Sequence, residues 1–304
     1  MSAQPLTRRH FLSLAGAAAA ACATPAFAAP ESFDFLFLTD CHLQPELDAT
    51  HGTDMAFRHA RTIRADFAIQ GGDHVFDALA VPKSRATQIF DQYAKTEQDL
   101  GLKVHHTLGN HDIFGIYPES GVGEADPGYG KKMFAERFGP TFYSFDHKGY
   151  HFIVLDSVGI TPDHKYEARI DQDQLAWLEK DLAALPSGAP IVVTTHIPLV
   201  TAVNCYAAVG PKTPPPAPFV NGPAAIKLLE GRNVLAVLQG HTHVNERVDW
   251  HGIPYITSGA VCGNWWKGTR LGTPEGFTVV SIAGGKLTTR YETYGFKSVA
   301  PENT

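Results

Sequence analysis

The sequence has few cysteines, no excess of basic residues and no apolar run long enough to span a membrane. Four cysteines among 304 residues are too few for a small protein held together by disulfides. Lys and Arg number 25 against 31 Asp and Glu, and the formal net charge of −6 argues against a surface that binds nucleic acid or anionic lipid. With 44% hydrophobic residues, the chain can bury a sizeable core as one large domain or two small ones.

The first 28 residues have the layout of an export signal. The pair Arg8-Arg9 stands directly before an uncharged, Ala-rich run at 11–21 that is too short to cross a bilayer. The segment ends in the small residues Ala26-Phe27-Ala28, which predicts cleavage after Ala28. This layout resembles a bacterial twin-arginine signal; a basic, Ala-rich amphipathic start to the domain is the alternative. We therefore expect the twin-arginine export machinery as a partner, and a periplasmic or secreted mature domain, residues 29–304, without a membrane anchor.

Short apolar, β-prone runs alternate with helical patterns along most of the mature chain. Six of these runs predict buried strands, at 33–39, 66–70, 103–108, 150–155, 190–195 and 233–239. Helices are predicted between them at 53–63, 83–100, 171–185 and 221–229. The alternation is typical of an α/β domain with a mostly parallel sheet covered by helices. The tail from residue 246 is strand-like and predicts a second sheet, and a Pro-rich insertion loop is predicted at 200–220.

Potential metal ligands follow five of the predicted strands, each at the point where the strand ends. They are Asp40, His42, Asp73, Asn110, His111, His196, His241 and His243. Because the carboxyl ends of parallel strands meet at one edge of a sheet, we expect these side chains to converge there. Carboxylate, imidazole and amide ligands together suit Mn, Fe or Zn and do not suit copper or iron–sulfur chemistry. A histidine alone is more often an ordinary core or surface residue, so the prediction depends on all five clusters occurring together.

The ordered set D-x-H, G-D, G-N-H-D, H and G-H-x-H, which runs from Asp40 to His243, resembles the calcineurin-like metallophosphoesterases. Within that family the chain looks most like the cyclic-nucleotide and glycerophosphodiester phosphodiesterases. The resemblance implies an α/β fold, a four-layer α/β/β/α sandwich of two mixed sheets flanked by helices. It also implies two divalent or mixed-valence metal ions. The first would be held by Asp40, His42 and His243, the second by Asn110, His196 and His241, and Asp73 would bridge both.

Two metal ions of this kind imply hydrolysis of a phosphoric ester. A hydroxide held between them would attack the phosphorus atom, and their charge would neutralise the phosphoryl oxygens in the transition state. His111 resembles the general acid of the family, which protonates the leaving oxygen. Asp112 would either orient the His111 ring or adjust its basicity, or it would simply cap the following turn.

The expected substrate is a small phosphodiester or phosphomonoester, and the net negative charge argues against nucleic acid. A phosphomonoesterase similar to acid or alkaline phosphatases is the enzymatic alternative, and a non-catalytic scaffold of the same fold is the non-enzymatic one. Purple acid phosphatases of the family carry Tyr three residues after the G-D aspartate, where this sequence has Phe76, so an iron–tyrosinate centre is not expected. His74 and Asp77 also depart from the pattern of many cyclic-nucleotide enzymes of the family, which have an acidic residue at position 76.

Three pairs of residues leave alternatives open. Trp265 and Trp266 could wall the cleft and stack on a base, or pack as a cover for the sheet. His105 and His106 alternate along a strand, so at most one of them faces the site, and we interpret both as structural. Cys205 and Cys262 could form a disulfide in the periplasm.

Overall fold

Two mixed β-sheets pack face to face in the computed structural model, which describes residues 31–207 and 219–302. The strands are β1 (Phe33–Leu38), β2 (Ala68–Gln70), β3 (Val104–His106), β4 (Tyr143–His147), β5 (Tyr150–Leu155), β6 (Val158–Ile160), β7 (Tyr166–Ala168), β8 (Ile191–Thr195), β9 (Val234–Gln239), β10 (Glu246–Trp250), β11 (Ile253–Thr257), β12 (Gly276–Ala283) and β13 (Lys286–Thr293). The α-helices are α1 (Ala49–Arg61), α2 (Lys83–Glu97), α3 (Lys132–Phe138), α4 (Gln172–Ala184), α5 (Val203–Tyr206) and α6 (Gly222–Leu229). Short 3₁₀ turns lie at Gln98–Leu100, Asn110–Asp112 and Pro118–Ser120.

The first sheet has the strand order β13-β12-β1-β2-β3, and the second has the order β10-β11-β9-β8-β5-β4. Parallel pairing joins β1, β2 and β3 in the first sheet and β5, β8, β9 and β11 in the second, and the remaining neighbours are antiparallel. All six predicted strands and all four predicted helices are present. Strands such as β5 and β8 are buried along their whole length, which explains why they are apolar without alternation.

The space between the sheets is filled by aromatic and branched side chains. Phe35 on β1 and Phe67 beside β2 stack with their ring centroids 5.1 Å apart. Both rings meet the edge of Phe152 on β5, at 5.5 and 5.3 Å. Burial of each such side chain stabilises the fold by about 1.5–3 kcal/mol. The packed interface therefore fixes the ends of one sheet relative to the ends of the other.

Helices cover the outer face of each sheet. On the first sheet, α1 and α2 contribute Phe57 and Phe90 to a buried cluster. On the second sheet, α4 and α6 contribute Leu178 and Leu229 to another. The layers are helices, first sheet, second sheet and helices, which is the four-layer α/β/β/α sandwich that the resemblance implies.

The tail beyond residue 246 does not form a separate second sheet, contrary to the sequence-based expectation, but is divided between the two sheets. β10 and β11 extend the second sheet beside β9, and β12 and β13 extend the first sheet beside β1. In the first sheet, Phe35 lies opposite Val280. The apolar strand β1 is therefore covered on the side that would otherwise be an open edge. The parallel strands are likewise split between two sheets rather than joined in one.

Two of the predicted segments fall wholly or partly outside the described residues: the export signal at 1–28, and the Pro-rich loop at 200–220, of which 208–218 is not described. Within the described part of the chain, no helix is both long and apolar enough to cross a membrane. Cys205 is exposed and Cys262 is buried, and both are free thiols, so the disulfide considered between them is not formed.

Candidate metal centre

The carboxyl ends of the parallel strands of both sheets meet at one edge of the sandwich, and the predicted metal ligands lie there. Asp40 and His42 follow β1, Asp73 follows β2, Asn110 follows β3, His196 follows β8, and His241 and His243 follow β9. All of them except His241 are buried. The structure thus brings together the residues that the resemblance assigns to two metal ions.

One group of ligand atoms is formed by Asp40, His42 and His243. Nε2 of His42 lies 3.2 Å from Nε2 of His243. Oδ1 of Asp40 lies 3.2 Å from Nε2 of His243 and 3.7 Å from Nε2 of His42. Two imidazole nitrogens and a carboxylate oxygen therefore face one small volume, as in a site for a borderline cation.

A second group is formed by Asn110, His196 and His241. Nε2 of His196 lies 3.2 Å from Oδ1 of Asn110. One nitrogen each of His196 and His241 and one oxygen of Asp73 lie within 4.8 Å of one another. The set combines imidazole, amide and carboxylate ligands in the combination that the sequence predicts.

Asp73 lies between the two groups. Its Oδ2 is 3.1 Å from Nε2 of His196 in the second group and 3.4 Å from Nε2 of His42 in the first. Its Oδ1 accepts the backbone N–H of His111 at 2.8 Å. One carboxylate oxygen thus faces both groups, which is the position of a bridging ligand.

The rings of His196 and His243 are oriented from behind by backbone carbonyls. Nδ1 of His196 donates to the carbonyl oxygen of Gly71 at 2.9 Å, and Nδ1 of His243 donates to that of Gly263 at 2.6 Å. With the Nδ1 proton fixed in this way, the Nε2 lone pair of a neutral ring points into the centre. There it faces other acceptors, the oxygens of Asn110 and the carboxylates, and either a proton on Nε2 or a metal cation between them satisfies the arrangement. The residues present therefore fit metal ions.

The backbone at the ligands is strained. Asp40, His42, Asp73, His241 and His243 all have positive φ angles, between 41° and 73°. Residues other than glycine occupy this region at a cost of about 1–3 kcal/mol each, and such positions cluster at functional sites. These tight turns directly after the strands let side chains from neighbouring loops face one small volume.

Glycines at two positions allow the loops that carry the proposed ligands to approach one another closely. A Cβ atom on Gly109 would lie 2.1 Å from the backbone nitrogen of Asp73. A Cβ atom on Gly240 would lie 2.2 Å from Oγ1 of Thr39. No side chain fits at either position, which explains the glycines of the G-N-H-D and G-H-x-H motifs.

Burial and facing charges set the protonation of the ligands. Burial lowers the pKa of His42 to about 4 and that of His241 to about 3, so both rings are neutral at pH 7. Burial opposes ionisation of Asp73 as well, but His196 and other facing histidines hold its pKa well below the usual range. Against the effect of burial, Asp73 and Asp40 raise the pKa of His196 to about 9. The same carboxylates that hold a proton on His196 would attract a metal cation in its place.

His111 lies beside the ligands. Its ring centroid is 4.8 Å from that of His42, and one of its ring nitrogens lies within 4.8 Å of ligand atoms of His42 and Asp73. Its Nδ1 is buried and has no hydrogen-bond partner within the described part of the chain. The ring therefore lies beside the ligands with one nitrogen unpaired among the described residues, and the general-acid role of His111 stays a prediction.

Asp112 does not orient the His111 ring, which corrects one of the two roles expected for it. Its carboxylate instead accepts the backbone N–H groups of Gly109, Asp73 and His74 at 2.9, 3.0 and 2.9 Å. It also binds Nδ1 of His74 at 2.8 Å. Asp112 thus caps its own turn and fastens the loop after β2 to the loop after β3. The cap considered from the sequence was one for the following turn, whereas the bonded N–H groups belong to its own turn and to the loop after β2.

The two histidines of β3 have packing roles, and His74 belongs to the same network. His105 stacks on Phe145 with ring centroids 3.6 Å apart. Nδ1 of His106 lies 3.0 Å from Nε2 of His74, and its Nε2 lies 3.5 Å from a carboxylate oxygen of Glu97. The hydrogen bond that joins His74 to His106 is not visible in the sequence, since these residues lie 32 positions apart.

The adjacent tryptophans have different environments. Trp265 is half-buried, and its ring centroid is 4.0 Å from that of His42 and 5.0 Å from that of His111. Trp266 is fully buried against Gly52 and donates from Nε1 to the carbonyl oxygen of His42 at 3.1 Å. Trp265 therefore walls the centre and Trp266 packs in the core, whereas stacking of Trp265 on a base stays a prediction.

Phe76 occupies the place at which purple acid phosphatases carry their Tyr. Its ring centroid lies 6.5 Å from that of His42. A side chain with no hydroxyl group therefore stands beside the candidate metal centre at this position.

The sequence is similar to those of known phosphoesterases. The sequence profile of the calcineurin-like phosphoesterase family matches residues 33–245. The chain is 25% identical over 164 residues to a probable cyclic nucleotide phosphodiesterase of Rhodococcus erythropolis, covering 54% of this chain and 48% of that protein. It is 29% identical over 115 residues to a cAMP/cGMP dual specificity phosphodiesterase of Mycobacterium tuberculosis, covering 38% of this chain and 32% of that protein. The matches therefore span half or less of the length of these curated relatives.

Among solved structures, the fold is similar to that of a dimetal phosphatase from Danio rerio, with a TM-score of 0.63 and 15% sequence identity. The likeness covers 86% of this chain and 96% of that one. At this level of identity it shows that the fold is shared.

Proposed function

The chain belongs to the calcineurin-like phosphoesterase family, and from this premise we propose that it is an exported enzyme that hydrolyses small phosphodiesters with two metal ions. The observation that carries the proposal is the division of the ligands into two groups that share Asp73. Asp40, His42 and His243 would hold one ion, Asn110, His196 and His241 the other, and Asp73 both. Mn, Fe or Zn ions bound there would supply an ionised water as nucleophile and neutralise charge on the phosphoryl oxygens.

His111 would supply the proton that the leaving oxygen needs. Its backbone N–H is bound to Asp73, so its position is tied to that of the shared ligand. Its ring is half-buried beside the ligands, and its Nδ1 has no hydrogen-bond partner among the residues that the structure describes. A positioned acid of this kind contributes about 10²–10⁴-fold to the rate of ester cleavage.

The choice of a diester over a monoester is part of this proposal. A phosphodiester carries one negative charge and a phosphomonoester close to two, so the two classes can be compared directly in one assay. The names of the two curated relatives, both phosphodiesterases, support the same choice.

The test is a substrate panel with the metal content measured in parallel. Residues 29–304, loaded with Mn, Zn or Fe, should bind two ions per chain and cleave methyl aryl phosphodiesters with a higher kcat/KM than aryl phosphomonoesters. The reverse preference would make the protein a phosphomonoesterase. A chain that binds well under one ion, and whose activity does not respond to added Mn or Zn, would be a non-catalytic scaffold.

Asp73→Asn tests the ligand assignment within the same assay. A neutral amide is a poor bridge between two cations, so the variant should bind one ion or none and lose activity. Asp77→Asn is the matched control, because Asp77 caps the backbone N–H of Leu79 and is not among the ligands. Two retained ions and near-normal turnover in Asp73→Asn would contradict the assignment.

A further inference from the structure

Two half-buried aromatic rings, Trp265 and Phe76, border the candidate metal centre on the side of His111. We propose that they form a subsite for a flat aromatic ring in the leaving group, so that the preferred substrates are aryl or nucleoside phosphodiesters. The inference rests on the proposed function and adds the chemical class of the leaving group to it.

Trp265 lies close to the rings of the ligands and of His111. The ring centroid of Trp265 lies 4.0 Å from that of His42 and 5.0 Å from those of His243 and His111. The ring of Phe76 meets that of Trp265 almost at a right angle, 5.8 Å away. If His111 protonates the leaving oxygen, the group attached to that oxygen must lie next to His111, and hence within reach of the indole.

The backbone holds the indole of Trp265 in place. Trp265 and Trp266 both have positive φ angles, 56° and 67°. Two successive residues other than glycine adopt this conformation only where the surroundings impose it, and such positions are typical of functional sites. The imposed conformation turns Trp265 toward the ligands and sends Trp266 into the core.

The carboxyl-terminal segment also braces the turn that carries Trp265 and Trp266. Oγ of Ser298 donates to the carbonyl oxygen of Trp266 at 2.6 Å, and Nδ2 of Asn264 donates to that of Glu302 at 2.8 Å. The indole of Trp266 packs edge-on against Phe296 at 5.1 Å. Because the turn is braced, the adjacent indole of Trp265 loses little conformational freedom when it stacks on a ligand, and this favours binding.

The first experiment uses the wild-type protein and two inhibitors that differ only in the flatness of one ring. The monomethyl esters of benzylphosphonic and cyclohexylmethylphosphonic acid carry the same charge, and a carbon atom replaces the leaving oxygen. The benzyl compound should bind more tightly by about 5- to 150-fold, the factor that stacking on an aromatic side chain provides. Equal inhibition constants for the two compounds would overturn the proposal, regardless of the constants measured for any variant.

Variants then assign the preference to Trp265. Trp265→Leu should reduce the ratio of the two inhibition constants toward one, and Trp265→Phe should keep part of it. Trp250→Leu is the matched control, because Trp250 is 51% exposed at the hairpin end of β10 and should leave the ratio unchanged. A preference for the benzyl compound that persists in Trp265→Leu would contradict the role of this ring.

A pair of substrates separates failure of this inference from failure of the proposed function. Methyl phenyl phosphate and methyl hexafluoroisopropyl phosphate have leaving alcohols of similar acidity, but only the first is aromatic. If the wild type cleaves neither ester with Mn, Fe or Zn, the proposed function is wrong. If the wild type cleaves both esters but Trp265→Leu slows both by the same factor, the proposed function stands and the proposed subsite is wrong. Trp265 would then only support His42, and measuring the metal content of the variant would show this directly.

Discussion

Asp112 shows how a buried carboxylate outside the ligand set shapes the candidate metal centre. It follows His111 in the G-N-H-D motif, but the two side chains point to different partners. His111 faces the ligands, whereas Asp112 binds the backbone N–H groups of Gly109 and Asp73 beneath them. The motif therefore places the proposed proton donor and a structural clamp in adjacent positions, and the clamp sets where Asp73, the proposed shared ligand, lies.

The variant His111→Ala separates a role of this residue in proton donation from a role in metal binding. The variant keeps all seven assigned ligands, so it should retain both metal ions. Hydrolysis of a phosphodiester with an alkyl leaving group should fall by about 10²–10⁴-fold. Hydrolysis of a nitrophenyl ester should fall much less, because nitrophenolate leaves without being protonated. Rates for a series of esters therefore depend more steeply on leaving-group pKa in the variant.

The exposed His51 provides the control, since His51→Ala removes a histidine on α1 that contacts only Asp48 among the described hydrogen bonds. Equal losses on both esters would show that His111 binds the phosphoryl oxygens instead. Loss of an ion, measured by elemental analysis, would make His111 a ligand.

Among the elements, those with a strong local pattern were predictable and those that depend on a distant partner were not. The strands β1, β8 and β9 are apolar runs, and the proposed ligands after them could be placed at one edge because parallel strands end together. β4 was not predicted, because only one of its faces is apolar and its Phe145 is paired with Phe152 on β5. The allocation of β10 to β13 between two sheets depends on pairing across the chain, and no local pattern encodes it.

The turn that holds Trp265 and Trp266 illustrates the same limit. The two residues are identical and adjacent, so composition and spacing could not decide which one walls the centre. Their positive φ angles and the bracing from the carboxyl-terminal segment decide it. Similarly, the hydrogen bond between His74 and His106 joins the loop after β2 to the end of β3, which is remote in sequence.

His151 links three elements and predicts a pH dependence of stability. Its ring, buried on β5, binds Asp146 on β4 at 2.7 Å and Asp181 on α4 at 2.8 Å. Burial alone would lower the pKa of His151, but the two carboxylates raise it above 6.5. The folded state thus binds this proton more tightly than the unfolded chain does. The resulting stabilisation is complete below about pH 6.5 and is lost as the pH rises through the folded-state pKa.

We expect His151→Gln to lower the free energy of unfolding by about 1.5–3 kcal/mol at pH 6, the contribution typical of hydrogen bonds to charged groups. The difference between wild type and variant should shrink toward pH 9. Urea titrations of both proteins across this range measure it. Because every other titrating group is common to the two proteins, parallel pH profiles would show that His151 does not carry the extra proton.

For the whole molecule, the ligands come from both halves of the sandwich. Asp40, Asp73 and Asn110 follow strands of the first sheet, and His196 and His243 follow strands of the second. The candidate metal centre therefore exists only when the two sheets have packed together, so metal binding and folding are coupled. A pathway that exports folded proteins suits such a centre, because the ions can be inserted before export.

The export proposal predicts the fate of a precursor with Arg8→Lys and Arg9→Lys, expressed in a bacterium and followed by cell fractionation. The positive charge is kept, so the double variant changes only the guanidinium groups that a twin-arginine signal requires. The precursor should remain in the cytoplasm, uncut after Ala28, yet folded and with the metal content of the wild type. Arg61→Lys with Arg64→Lys makes the same change within the domain and should leave export intact. Undiminished periplasmic protein from the first variant would show that this pair of arginines does not direct export, whereas a degraded cytoplasmic precursor would show that the protein does not fold before it leaves the cell.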